Sequence, residues 1–354
     1  METEYVKGRG AQINTANKFS KYEYVTEHIE GLDEAWEINA DTELIYADAK
    51  TIVNKVDSPD IGPGYSMNPY QGCEHGCIYC YARNAHEYWG YSAGMDFEKK
   101  IIVKKNAPQL LEDRFQNKNW SPAPIMLSGN TDCYQPAERK LEITRGILEV
   151  LLKYKHPVGI ITKNSLILRD TDLLTELAKL RLVHVMVSIT SLDNDLRLMM
   201  EPRTTTAKQR LKIIHDLAAN NIPVGVMTAP IIPGINSAEI PDIIQQAALN
   251  GGRTAGMTIV RLNGAIGDLF HDWLYKNFPD RADKVWHQIQ DCHGGKVNDS
   301  RYGTRMRGEG KIAESIKQLF AFAKKKYMGG AEKFEYDLSI FKRPDKNGQF
   351  DLFE

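Results

Sequence analysis

Three cysteines, Cys73, Cys77 and Cys80, lie within eight residues of one another in the 354-residue chain, with the spacing C-x3-C-x2-C. Gly72 and Gly76 stand beside them and let a short loop bend tightly, so the three thiolates can converge. Thiolates are soft ligands that suit iron–sulfur clusters, zinc and Cu(I). Three protein ligands on a four-iron cluster leave one iron open to a small molecule. The spacing therefore indicates a metal-binding loop at which chemistry takes place.

A structural zinc site is the alternative interpretation. Such sites usually have four protein ligands, and a C-x2-C pair is normally matched by a second pair. The remaining cysteines, Cys133 and Cys292, are single and far apart in the sequence. His75 or His293 would have to complete a zinc site. The pattern favours an iron–sulfur cluster and leaves zinc as the second hypothesis.

The composition excludes several classes of protein. Hydrophobic residues make up 42% and charged residues 26%, which are values of a globular chain. The 45 Lys+Arg against 46 Asp+Glu give a net charge of −1, so only a local basic patch could hold nucleic acid. A low, odd count of five cysteines argues against a secreted disulfide framework. Without a signal peptide or an apolar run of about 18 residues, we expect a cytoplasmic protein with no membrane partner.

From about residue 65 onward, short apolar runs alternate with amphipathic helical patterns. The runs are mostly continuous and rich in Val, Ile and Met, which is typical of parallel strands buried on both faces. The candidate strands are Tyr65–Tyr70, Pro124–Gly129, Val158–Thr162, Val183–Ile189, Pro223–Met227 and Gly256–Leu262. Glu138–Tyr154 and Ala207–Asn221 are predicted amphipathic helices. About six such units predict an α/β fold, a partial (β/α)6 TIM-type barrel, with an open doubly wound sheet as the alternative.

We predict four regions of the chain. An N-terminal arm and extension spans residues 1–60, and the partial barrel spans 61–267. A helical C-terminal extension spans 268–342, and a polar tail spans 343–354. The extension is predicted from the helical patterns Asp268–Phe278, Arg281–Cys292 and Lys311–Tyr327.

The cysteine motif resembles that of the radical SAM superfamily, C-x3-C-x-aromatic-C, with Tyr79 at the aromatic position. The resemblance runs from about Met67 to Asn263. It implies a [4Fe–4S] cluster on the three cysteines, whose open iron chelates the amino and carboxylate groups of S-adenosylmethionine. One electron then cleaves this cofactor to methionine and a 5′-deoxyadenosyl radical, which abstracts a hydrogen atom. An electron donor of the flavodoxin or ferredoxin type is the implied partner.

Other segments resemble one branch of that superfamily. GCEHGCIYCYAR, SGNTDCYQPAER, SITSLD, EPRT and APIIPGIN are similar to the uncharacterised branch related to spore photoproduct lyase, commonly labelled DNA-repair photolyase-like. This resemblance implies a lyase or a modifying enzyme that acts on nucleic acid.

The resemblance also implies cofactor contacts at the carboxyl ends of the predicted strands, where barrel enzymes collect their functional groups. The predicted cofactor-binding residues are Tyr79, Asn130, Thr131, Asp132, Lys163, Ser165, Ser188, Thr190 and Arg203. Asp132 suits the methionine ammonium group, although the superfamily usually has a Gly-Gly-Glu-like turn there. Lys163 and Arg203 suit the methionine carboxylate. Helix caps, strand-end hydrogen bonds and surface ion pairs are the alternatives for these positions.

Four residues are candidates on the substrate side. Cys133 is a candidate hydrogen-atom donor to a product radical, with an inert buried thiol as the alternative. Tyr81 directly follows the cluster motif and is a second catalytic candidate. Arg261 and Asn263 end the sixth predicted strand and could bind an anionic or polar group of the substrate.

Two further features point to partners. The densest basic segment comprises Arg301, Arg305, Arg307 and Lys311, and it is either a phosphate-contacting patch or a set of ion pairs. The segment Gln349–Phe353 resembles the motif with which bacterial repair proteins dock on the DNA sliding clamp. The leading hypothesis is therefore a radical SAM enzyme acting on nucleic acid. Radical modification of a peptide or small metabolite, and a non-catalytic zinc-binding nucleic-acid adaptor, are the alternatives.

Overall fold

The computed structural model describes residues 8–19, 42–60 and 64–343. The strands are β1 (Glu43–Tyr46), β2 (Val53–Val56), β3 (Gly64–Met67), β4 (Tyr70–Gln71), β5 (Lys100–Val103), β6 (Ile125–Leu127), β7 (Val158–Thr162), β8 (Val183–Ser188), β9 (Val224–Ile231) and β10 (Thr254–Ile259). The α-helices are α1 (Met95–Lys99), α2 (Ala107–Gln116), α3 (Glu138–Leu141), α4 (Ile143–Lys153), α5 (Thr171–Lys179), α6 (Asn194–Met200), α7 (Ala207–Ala219), α8 (Ile240–Leu249), α9 (Ile266–Asn277), α10 (Ala282–Asp291) and α11 (Gly310–Met328). Short 3₁₀ helices cover Tyr81–Trp89, Ser165–Asp170, Ser237–Glu239 and Pro279–Arg281.

The main sheet has seven strands in the order β10-β9-β8-β7-β6-β3-β2. Strands β3 and β6 to β10 are parallel, and each pairs with its neighbour in chain order, whereas β2 is antiparallel to β3. Sequential parallel pairing through crossover helices is the wiring of a β/α barrel. The predicted α/β partial barrel is therefore confirmed.

One face of this sheet forms the main hydrophobic core with the crossover helices. Val158 and Ile160 of β7 and Val185 of β8 are completely buried in it. Leu148 of α4 and Ile214 of α7 pack in the same cluster. Each such aliphatic side chain contributes roughly 1.5–3 kcal/mol on burial. This packing fixes the directions of the strands, and hence the position of their carboxyl ends.

The opposite face of the sheet carries a repeated pairing of methionine with glycine. The pairs in register are Met126–Gly159, Met186–Gly225 and Met227–Gly256. A Cβ added to Gly225 would lie 2.9 Å from the sulfur of Met186. Each glycine thus leaves room for the methionine of the preceding strand to lie across it. Because methionine is flexible and polarisable, the result is an adaptable apolar lining.

Two predicted elements are interrupted. The strand predicted over Tyr65–Tyr70 ends at Met67, because Pro69 has no N–H to donate and the chain turns away to a second sheet of order β1-β5-β4. The helix predicted over Glu138–Tyr154 breaks at Glu142, whose φ of 51° is left-handed. That break leaves the N–H of Thr144 free to donate to the buried carboxylate of Glu138.

The C-terminal extension packs against the last strand and the last crossover helix of the barrel. Helices α9, α10 and α11 lie where helical patterns were predicted, and α11 contacts α8 and β10. Residues 297–308 run along β10, since Leu262 donates to the carbonyl of Val297 and Ile259 to that of Met306. No helix in the described residues has both the length and the apolar character needed to cross a membrane.

Candidate functional site

The cysteine loop lies between β4 and the 3₁₀ helix Tyr81–Trp89. Gly72 and Gly76 both have left-handed backbones, with φ values of 78° and 68°. A Cβ on Gly72 would lie 2.7 Å from the carbonyl oxygen of Lys100, so a larger residue would clash as well as strain the backbone. Cys73 and Cys77 are only 7% and 8% exposed. The loop therefore turns Cys73 and Cys77 inward, and Cys80 is partly buried.

Burial disfavours the thiolate forms of Cys73 and Cys77 in this loop. Burial raises the pKa of Cys73 well above its usual value, and Asp132, Cys77 and Cys80 raise it further. Burial also raises the pKa of Cys77 to about 12, although the neighbouring Lys163 opposes this shift. Metal binding must therefore displace protons from these thiols.

The three cysteine thiols of one loop are a donor set of the kind that binds an iron–sulfur cluster. Within the described ranges, no three His, Cys, Asp or Glu side chains lie close enough to hold one metal ion. A cluster needs no such convergence on one ion, because its cysteines bind different irons. His75 is not oriented to complete a zinc site, since Nδ1 lies 3.4 Å from Asp132 and Nε2 lies 3.2 Å from Asn164. His293, the other histidine considered for a zinc site, has its Nε2 atom 2.7 Å from the carbonyl oxygen of Val260.

A buried ion pair fixes the back of the cysteine loop. Arg83 donates from Nε to the carbonyl of Cys77 at 2.9 Å and from Nη2 to Glu98 at 2.6 Å, and neither side chain is exposed. The Glu98 carboxylate also accepts the backbone N–H groups of Gly10 and Ala11. The N-terminal segment 8–19 is thereby attached directly behind the loop.

A second buried network surrounds Glu201 at the other side of the loop. Its carboxylate accepts hydrogen bonds from the hydroxyls of Tyr79 and Thr190 and from Nη2 of Arg210. Burial alone would raise the pKa of Glu201, but Arg210 and Lys163 and the hydrogen bonds outweigh it and lower the pKa to about 2. Sequence analysis missed Glu201 and Arg210 as site residues; the only sequence signal was the position of Glu201 beside Arg203 in EPRT.

Asp132 and Lys163 lie on the cysteine side of the strand ends. The Asp132 carboxylate accepts hydrogen bonds from Thr162, from the backbone N–H of Lys163 and from that of Tyr134. The ammonium of Lys163 donates no hydrogen bond to a described residue. Burial lowers its pKa, but Cys77 and Glu201 raise it by more. A protonated lysine thus stands beside the cysteine loop with its donors uncommitted.

The remaining predicted cofactor residues are placed by other contacts. The backbone N–H groups of Asn130 and Thr131 donate to the side chain of Asn68. The N–H of Ser165 donates to Thr205, and the carbonyl of Ser188 accepts from Arg210. Nη2 of Arg203 lies 3.5 Å from the carboxylate of Glu74, and its backbone N–H donates to the carbonyl of His75. Tyr79, Asp132, Lys163, Thr190 and Arg203 are thus all brought around the cysteine loop.

The two catalytic candidates lie in different environments. Cys133 is completely buried in the main core, where burial raises its pKa well above the usual value. Tyr81 is 49% exposed, and its hydroxyl donates to the carbonyl of Gly129 at the end of β6. Tyr81 also lies near Arg261, and the side chain of Asn84 donates to the carbonyl of Asn263. Tyr81, Arg261 and Asn263 therefore line the same edge of the barrel.

Two members of the basic segment are engaged in ion pairs. Arg301 pairs with Asp299 and Glu309 at 2.7 and 2.6 Å. Arg305 pairs with Asp60 and donates to Ser58, which links the C-terminal extension to the chain before β3. For these two arginines the structure agrees with the ion-pair interpretation. The segment Gln349–Phe353 lies outside the described residues.

Comparisons with known proteins agree with this architecture. The sequence matches the Radical SAM superfamily over residues 67–247, about half of the chain. An uncharacterized protein of Mycobacterium bovis is 32% identical over 234 residues, which are 65% of this chain and 69% of that protein. An uncharacterized protein of Methanocaldococcus jannaschii is 30% identical over 202 residues, which are 57% and 73%.

Among solved structures, the fold is similar to that of spore photoproduct lyase complexed with a dinucleoside spore photoproduct. The TM-score is 0.60 at 14% sequence identity, over 81% of this chain and 80% of that one. At this identity the likeness concerns the fold alone. The parallel partial barrel, the three-cysteine loop that follows its first parallel strand and the matched family model together define the class of protein. The chain belongs to the radical SAM superfamily.

Proposed function

We propose that this protein is an enzyme that binds a [4Fe–4S] cluster and S-adenosylmethionine and abstracts hydrogen from its substrate. The observation that carries the proposal is the inward-turned loop with Cys73, Cys77 and Cys80, within a matched superfamily region. Once reduced by one electron, the cofactor pair supplies a 5′-deoxyadenosyl radical and methionine. A flavodoxin- or ferredoxin-type protein is the proposed source of that electron.

The protein's own groups have separable tasks in this proposal. Arg83 and Glu98 hold the backbone of the cysteine loop, while Glu201 fixes the ring of Tyr79 through its hydroxyl. Lys163 presents an uncommitted ammonium near Cys77, which suits the carboxylate of the methionine moiety. Asp132 already accepts several protein hydrogen bonds, so its proposed contact to the methionine ammonium group would be additional to them.

Anaerobic purification with iron, sulfide and zinc analysis tests the cluster. We expect a brown protein with about four irons, and Cys77→Ala should lose both colour and iron. Cys292→Ala is the matched control, because Cys292 is a buried free cysteine outside the loop and should leave the iron content unchanged. Stoichiometric zinc without iron would support the adaptor alternative instead.

Nucleic acid is the proposed substrate, in repair or modification of a base. The supporting observations are the branch-specific segments and the similarity in fold to a lyase whose structure contains a dinucleoside. Reduced protein with S-adenosylmethionine would be incubated with DNA, RNA and peptide pools. Formation of 5′-deoxyadenosine with a new nucleoside product supports the proposal. A modified peptide or metabolite supports the alternative enzyme function.

A contact with the DNA sliding clamp through Gln349–Phe353 is a separate proposal, based on the sequence. Two apolar anchors near a chain end suit insertion into a groove of a partner. Deletion of residues 349–354 should abolish retention on immobilised clamp. Unchanged retention would reject this partner.

A further inference from the structure

Arg261 carries a guanidinium group for which residues 8–19, 42–60 and 64–343 supply no hydrogen-bonding or ion-pair partner. It follows β10 at the carboxyl edge of the barrel and is partly buried. Among the described residues it forms neither a hydrogen bond nor a salt bridge. Buried or half-buried charges in proteins are normally paired, because their desolvation is costly. An unpaired guanidinium at the barrel edge therefore points to an anionic ligand.

The charges around Arg261 do not neutralise it. Among the described residues, the charge of Arg305 lowers the pKa of Arg261, whereas Tyr81 and Asp60 raise it. Asp60 is already committed, since it accepts Nε of Arg305 at 2.5 Å and the N–H of Gly303 at 2.6 Å. In the described part of the chain, two guanidinium groups thus face one carboxylate, which leaves one positive charge among these groups. Burial and the charge of Arg305 accordingly lower the pKa of Arg261.

The aromatic side chains at this edge indicate what kind of anion would fit. Tyr81 directly follows the cysteine loop and is half exposed beside Arg261. Tyr302 is 58% exposed, and the guanidinium of Arg305 lies 4.4 Å from the centre of its ring. Exposed aromatic rings with guanidinium groups between them are the surfaces on which single-stranded nucleic acids stack their bases. A guanidinium fork, in turn, matches the oxygens of a phosphate.

We propose that Arg261, with Tyr81 and Tyr302, forms a substrate-binding site that holds a phosphate group of a single-stranded or extruded nucleotide beside the cysteine loop. This inference rests on the proposed function and names the class of substrate and the residue that anchors it. The anchor places the nucleotide next to Tyr81, the residue that follows Cys80. The basic segment contributes less, because Arg301 and Arg305 are paired within the protein.

The test measures binding of a fluorescent single-stranded oligonucleotide to the intact, cluster-loaded protein over a range of salt concentrations. Arg261→Gln should weaken binding about tenfold, the effect of losing one charge-assisted hydrogen-bonded pair. The slope of log affinity against log salt should fall by about 0.7, the value for one phosphate contact on a single strand. Arg261→Lys should keep the salt slope of the wild-type protein but recover only part of the affinity, because lysine lacks the fork.

Arg253→Gln is the matched control, because it removes the same charge from an exposed residue at the opposite end of β10. Equal losses in the Arg253 and Arg261 variants, or no loss in either, would overturn the proposal. Binding of an acidic peptide in place of the oligonucleotide, still dependent on Arg261, would assign the site to another macromolecule.

Iron content and cofactor cleavage by the wild-type protein are measured in parallel and separate the two proposals. A wild-type protein without a cluster would contradict the proposed function, whereas an active one with unchanged Arg261→Gln binding would contradict only this site.

Discussion

At the scale of single residues, three fully buried glutamates organise the surroundings of the candidate site. Each pairs with an arginine; the pairs are Glu98–Arg83, Glu138–Arg169 and Glu201–Arg210. Tyrosines of the cysteine region are attached to two of them, since Tyr70 donates to Glu138 and Tyr79 to Glu201. The sequence did not reveal these pairs, because an acidic residue carries no local signal of burial and the tyrosines are distant in the chain.

Glu201→Gln tests this arrangement directly. The substitution leaves the buried guanidinium of Arg210 without its counter-charge, and breaking such a pair costs roughly 3–5 kcal/mol. We therefore expect a clearly lower denaturation midpoint for the metal-free variant. Glu314→Gln removes an exposed glutamate paired with Lys317 and should leave the midpoint unchanged. Equal midpoints for wild-type protein and Glu201→Gln would refute the role assigned to this network.

At the scale of elements, the buried strands could be predicted from the sequence, whereas the strands at the edge of the sheet could not. The limits of β7 agree with the predicted Val158–Thr162. A short run rich in Val and Ile that is buried on both faces strongly favours a parallel β-strand. In contrast, β2 reads VNKV and is half polar, since it lies at the edge of the sheet. The break in the predicted helix at Glu142 depends on the tertiary contacts of Glu138. The hydrophobic periodicity of the sequence does not indicate such contacts.

The N-terminal segment 8–19 acts as an element that covers the cysteine loop. A Cβ added to Gly10 would lie 1.8 Å from the carbonyl oxygen of Gly76, so these two backbones touch and residue 10 must be glycine. Gly94 faces the carbonyl of Ile13 equally closely, at 2.0 Å. The position of the segment is therefore determined at two points by steric contact.

Gly10→Ala should displace this segment from the loop. We expect faster loss of iron to a chelator under anaerobic conditions, and faster proteolytic cleavage of the N-terminal segment in the metal-free protein. Gly330→Ala is the control, because a Cβ there meets no atom within 4 Å. If Gly10→Ala releases iron at the rate of the control, the segment does not protect the loop.

At the scale of the whole molecule, the C-terminal segment that follows α11 covers part of the sheet. After α11 the chain runs back across the fold, and Arg343 donates to the carbonyls of Phe115 and Trp120. Phe341 packs edge-on against His156, and Phe334 lies against His184. The extension thus encloses two histidines that were not singled out in the sequence.

These enclosed histidines make the stability of the molecule depend on pH. Burial lowers the pKa of His156 to about 3 and that of His184 to about 4. An unfolded histidine titrates near about 6.5, so below that pH the unfolded chain binds more protons than the folded one. The stability contribution is therefore complete above about pH 6.5 and is lost as the pH falls.

His156→Phe removes one of these titrations while keeping an aromatic ring among Phe115, Trp120 and Phe341. Between pH 7.5 and 5, the metal-free variant should lose about 2 kcal/mol less unfolding free energy than the wild-type protein. The measurement is denaturant unfolding at each pH, with His215→Phe as the control because His215 is exposed. The control should follow the wild-type curve. Equal losses of unfolding free energy in the wild-type protein and in His156→Phe would show that His156 does not contribute to the pH dependence.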